Sequence, residues 1–157
     1  MTPPTILDRF TSDLYSLLDE TFRNVHGQYL DKQTSLFETL ATISAEEASR
    51  PVGGRCATLA AQVNHVRFYI DVMERYMRGE EVGEVDWDAS WQIAAVDDVE
   101  WESLKRRLDA AYESVLATMH GFTTWDGEEQ ILDAMAILVH TAYHLGEIRQ
   151  ALCTIKQ

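Results

Sequence analysis

The chain has 157 residues, with 13 basic and 26 acidic side chains and a formal charge of −13. That length suits one domain, 1–157, with enough apolar sequence to bury a core, and the acidic excess repels phosphate backbones and anionic lipid, which argues against nucleic acid or membrane partners. Charge interrupts every apolar stretch, and the start lacks a basic and then apolar leader, so the expectation is a cytoplasmic protein.

Helical periodicity dominates and sustained alternation is missing, which predicts an all-α fold. The first helix is expected from Pro4 or Thr5 to Asn24, burying Ile6, Phe10, Leu14, Leu17 or Leu18 and Phe22, with His26-Gly27 as its end. Ser35 with Glu38, then Ser44 with Glu47, each have capping-box spacing and predict two short helical pieces. Pro51-Val-Gly-Gly54 breaks the pattern. Thr58 then reads as the N-cap of a helix running to Arg78 before Gly79, with Leu59, Val63, Val66, Ile70, Met73 and Met77 buried.

Residues 80–96 form an acid-rich connection carrying Trp87 and Trp91. It is far longer than the two to eight or so residues usual between antiparallel bundle neighbours, so it permits a crossover. The tryptophans are expected to pin this connection to the helices, with a pocket wall as the other reading. Asp97 with Glu100 opens the next helix, closed by His120-Gly121. Asp126 with Glu129 is expected to cap the last, whose stripe reads Ile131, Met135, Leu138, Leu145, Ile148, Leu152 and Ile155. Cys56 and Cys153 lie outside any CxxC spacing and are expected as free thiols used as small buried apolar residues.

The chemistry-bearing feature is His140-Thr-Ala-Tyr-His144-Leu-Gly-Glu147 on the last helix. Histidines at i and i+4 point the same way and reach one ion without bending the backbone. A catalytic zinc-like site takes three protein ligands and keeps an open position, and His65 on a distant helix is the candidate for the third. A zincin is excluded, since that mechanism needs Glu directly after the first histidine and position 141 is Thr. Glu147, three residues past His144, reads as an acceptor that orients an imidazole, as a base acting through bound water, or as a solvated carboxylate. Asn64, Arg67 and Tyr69 flank His65 as candidates for the pocket mouth.

His65 followed by the His140/His144 pair, with Thr58 ahead of the first histidine and Gly146 after the last, resembles the DinB/YfiT-like superfamily of metal-dependent enzymes. The resemblance spans most of the chain. It implies a four-helix bundle of up-down-down-up topology with a long crossover between the second and third helices, metal ligands His65, His140 and His144, and a homodimer. Glu147 stands where that family often has Gln. The resemblance implies no DNA chemistry.

Three neutral imidazoles suit zinc, nickel, iron or manganese. The resemblance implies a small-molecule enzyme, either a hydrolase using metal-activated water or a transferase or isomerase that depends on a low-molecular-weight thiol. Against it stand a non-enzymatic metal-binding or stress-response protein, in which a fourth ligand such as Glu147 closes the site, and a helical interaction module with vestigial histidines.

Overall fold

The structure is a computed structural model that describes residues 3–156. Among them are six α-helices, one 3-10 turn and no strand. The chain divides into two compact units at the Thr42/Ile43 boundary.

The first unit holds α1 (Ile6–Phe22) and α2 (Leu36–Leu40). Thr5 starts α1 with a capping box: Asp8 N–H donates to Thr5 Oγ1 at 3.1 Å, and Thr5 N–H donates to Asp8 Oδ2 at 2.7 Å. Leu14, Leu18 and Phe22 are buried as the periodicity predicts, but Ile6 is 88% exposed, because the first turn stands clear of the packing that covers the later turns. The helix also ends earlier than expected. Arg23 and Asn24 both turn their N–H groups back to Asp19 O, which leaves His26-Gly27 outside the helix.

What those two residues do instead is wrap a loop around Glu20. This carboxylate is fully buried and accepts backbone N–H groups from His26 (3.1 Å), Gln28 (3.0 Å), Tyr29 (2.8 Å) and Leu30 (2.7 Å). Burial opposes the charge, yet the backbone donors outweigh it and hold the pKa down to about 2. Gly27, at φ +80°, supplies the left-handed turn that aims consecutive amides at one acceptor. The segment after α1 is therefore built on a single acid.

The second unit holds α3 (Ala45–Ser49), α4 (Leu59–Met77), the 3-10 turn (Asp88–Trp91), α5 (Asp98–His120) and α6 (Gln130–Ile155). Ser44/Glu47 and Asp97/Glu100 form the expected capping boxes, and Thr58 Oγ1 accepts Ala61 N–H at 3.2 Å to set the start of α4. Helix α4 packs against both α5 and α6, and the 3-10 turn lies on α4. All six residues of the predicted α4 stripe are buried. Glu74, also buried, accepts the hydroxyls of Ser114 (2.8 Å) and Thr118 (2.6 Å) and pairs with Arg78, which locks α4 to α5 in one register.

Helix α6 departs from its predicted start and its predicted face. Asp126 accepts the Thr124 hydroxyl at 2.7 Å and does not cap the helix, and Glu129 occupies the N-cap without a side-chain bond. Ile131 and Met135 face outward, while Ala134, Ile137 and Thr141 are buried. Stepping back from Leu145 and Ile148 by helical intervals reaches Thr141, Ile137 and Ala134, so the lower half of the helix follows the register of its upper half and not its own most apolar residues. Both cysteines are exposed and free, contrary to the buried role expected of them. Cys56 lies on the irregular segment before α4, and Cys153 on the outer face of α6. No helix among the described residues is long and apolar enough to cross a membrane.

Candidate metal centre

Helices α4 and α6 bring the three predicted histidines together. One ring nitrogen each from His65, His140 and His144 lies within 4.8 Å of the others. One ion with metal–nitrogen bonds of about 2.0–2.1 Å holds its ligand atoms no more than about 4.2 Å apart, so small ring rotations close the set. His65 and His144 are buried and His140 is partly so.

Two of the imidazoles are held by partners that the metal does not need. Ser90 Oγ donates to Trp87 O at 2.6 Å, which commits its only proton. The 2.7 Å contact between Ser90 Oγ and His65 Nδ1 is then a bond donated by the imidazole N–H. His65 is therefore the Nδ1–H tautomer, with the lone pair on Nε2. Asn64 Nδ2 donates to Ser90 O at 2.7 Å and clamps the 3-10 turn to α4. Trp91 stacks on His65 at 3.9 Å between ring centroids, and Tyr69 stacks on His140 at 3.7 Å. Trp87 in turn packs near Phe68 and Tyr69. Trp87 pins the connection as predicted, whereas Trp91 forms a wall of the site. Glu147 Oε2 lies 2.9 Å from His144 Nδ1, out of line with the ring N–H direction.

The electrostatics favour the ligand form of all three rings. Burial, followed by the charge of neighbouring imidazoles, pushes His140 down to about 3 and His65 to about 4. Burial also lowers His144, with Glu147 pulling the other way. At neutral pH the cluster is uncharged, and one ring nitrogen of each residue lies near those of the other two.

Two ring nitrogens of the triad are among the unsatisfied polar atoms. Among the described residues, the buried side-chain atoms without a hydrogen-bond partner are Gln62 Oε1, Asp133 Oδ2, His140 Nε2, Thr141 Oγ1 and His144 Nδ1. All lie on α4 or α6, the two helices that carry the triad. Buried polar groups are ordinarily paired, so His140 Nε2 calls for a partner. A divalent ion answers His140 Nε2 directly. Cys, Asp and Glu contribute no fourth member to the cluster among the described residues.

No family model matches the chain, and neither a curated protein nor a solved structure does. The chemistry of the donor set therefore carries the functional reading.

Ser90 is the site residue that sequence reasoning missed. It lies in the connection with no motif around it, and only the fold of the Asp88–Trp91 turn brings it to His65. Ser90→Ala is expected to weaken zinc binding about 10- to 100-fold, as losing a hydrogen bond that orients a metal-ligating histidine does. Chelator competition measures this. Ser90→Thr should restore affinity, and an unchanged affinity in Ser90→Ala would remove Ser90 from the site. Arg67 pairs with Asp71 along α4, which accounts for it as a helix ion pair.

Proposed function

We propose that this protein is a metal-dependent enzyme of the DinB/YfiT-like kind, with His65, His140 and His144 holding one divalent transition metal. The observation that carries the reading is the convergence of three neutral imidazole donors with no fourth Cys, Asp or Glu ligand among the described residues. A structural zinc site is usually closed by four protein ligands, whereas three leave a position for chemistry. That favours the enzyme over the non-enzymatic metal protein.

When bound, the ion supplies Lewis acidity that lowers the pKa of a coordinated water or thiol, uncompensated by ligand charge. The chain's own residues do the rest. Ser90 fixes the tautomer of His65, Trp91 and Tyr69 fix two ring planes, and Glu147 places a carboxylate beside His144. Hydrolysis and transfer or isomerisation with a low-molecular-weight thiol both remain within this reading. Its bundle topology, homodimeric state and cytoplasmic location belong to the proposal too.

Elemental analysis of tag-free protein, purified without chelator, tests it. About one equivalent of zinc, nickel, iron or manganese is expected in the wild type, with near-complete loss in His140→Ala, since removing one of three ligands forfeits most of the affinity. A chain that holds none of these metals after reconstitution would overturn the reading.

A further inference from the structure

Helix α6 is apolar on two opposite faces. Ala134, Ile137, Leu145 and Ile148 are buried on one side. On the other, Leu132, Met135, Val139, Tyr143, Gly146 and Gln150 recur at three- and four-residue steps and are all exposed. Leu132 and Val139 are each 63% exposed and Tyr143 is 62% exposed. A helix that is apolar all round is ordinarily covered on every side. Residues 134–146 contain no Asp, Glu, Lys or Arg, and Asp133 is buried. Helix α5, by contrast, exposes Glu102, Arg106 and Glu113, as a solvated helix does.

The apolar surface continues off the helix within the same unit. Val139 and Tyr143 share a recess of about 340 Å³ with Tyr69 of α4 and with His140. Trp87 packs 5.8 Å from Tyr69 and is itself partly exposed. From Leu132 to Gln150 the stripe runs about 27 Å, at about 1.5 Å per residue. A standard interface of about 800 Å² per partner is about 30 Å across. The stripe therefore supplies the length such a contact needs, and the surface reaching to Tyr69 and Trp87 supplies width.

Charge selects the occupant. At −13 the chain repels copies of itself over most of its surface and attracts basic partners there. The outer face of α6 offers a basic partner nothing to pair with, whereas two like-charged copies can meet on it through apolar contact alone. A two-fold axis would set one stripe against its own equivalent, antiparallel.

We infer that the outer face of α6 is the contact through which two copies of this chain pair, with Val139 near the two-fold axis. The contact covers the recess beside His140, so each copy closes one side of the other's metal centre. This gives the homodimer of the proposed function its surface; it rests on that state and not on the metal.

Sedimentation at about 1 to 100 µM tests the contact. The wild type is expected at twice its chain mass of 17.9 kDa. Val139→Glu should weaken pairing at least about 100-fold and sediment as a monomer, because two carboxylates would be brought together inside an apolar contact. Its helix content by circular dichroism should be unchanged, since the side chain it replaces is already exposed. Leu132→Glu should act in the same direction. The control is Val99→Glu on α5, which adds the same charge at an apolar residue 75% exposed and should leave the dimer whole. A wild type that stays monomeric at the highest concentration would overturn the inference and the homodimer with it. A dimer that survives Val139→Glu, or that Val99→Glu dissociates equally, would overturn this surface alone. Zinc content of the same samples reports separately on the triad: metal in a monomer keeps the enzyme reading, and a dimer without metal that Val139→Glu dissociates keeps the contact.

Discussion

The metal-free protein is expected to lose about 2–3 kcal/mol of stability between pH 7 and pH 5. His140 and His65 have folded pKa values pushed down to about 3 and about 4 from an ordinary 6.5. Between those values the unfolded chain binds protons that the folded chain refuses, so stability falls as the pH drops below 6.5 and stops falling only below the folded pKa. Each of the two rings contributes about 2 kcal/mol at pH 5 by this linkage. His144, also lowered, acts in the same direction.

Asp133 opposes them. Burial, then the charge of Glu129, pushes its pKa up to about 6 from 3.8. The folded state therefore takes up its proton first, and acidification to pH 5 returns about 1 kcal/mol. The histidines win by number. Urea unfolding of chelator-treated protein at the two pH values measures the difference, and His140→Phe should remove roughly two thirds of it. Stability that is equal or higher at pH 5 would mean that the imidazoles are not held neutral inside the fold, and the metal centre as described would not be assembled.

In the first unit the largest effect is expected from Glu20→Ala, a loss of about 3 kcal/mol or more, because four backbone donors lose a buried charged acceptor at once. The readout that identifies the cause is local. Amide exchange at His26, Gln28, Tyr29 and Leu30 should accelerate sharply, since these are the groups that bond the carboxylate. Glu20→Gln keeps one acceptor oxygen and should recover part of the loss. Because the folded pKa is depressed to about 2, this contribution is complete above the ordinary carboxyl value of 4.5 and disappears as the pH falls through 2. Its window lies below that of the histidines, so the two transitions can be told apart. Protection at these amides that survives Glu20→Ala would show that the loop holds itself.

Features that depend on near neighbours were legible along the chain. Capping boxes at Ser44/Glu47 and Asp97/Glu100, the Thr58 N-cap, the buried stripe of α4 and the shared face of His140 and His144 are all set by i, i+3 and i+4 relations that any helix enforces. His65 was legible as a third donor only as a candidate, since no local rule brings α4 to α6.

Tertiary structure decided the rest. Glu20 lies at an unremarkable helical position, and its value comes from a loop that folds back over it. Ser90 and Trp91 gain their roles when the 3-10 turn docks on α4. The lower half of α6 buries Ala134, Ile137 and Thr141 in place of Ile131 and Met135, because a rigid helix shares one register and its upper half is bound to the triad. In each case the deciding partner is distant along the chain, and the physical reason is common to all. Hydrogen-bond directions and helix register are local and can be read residue by residue, whereas the identity of the group that satisfies a buried polar atom depends on which surfaces meet.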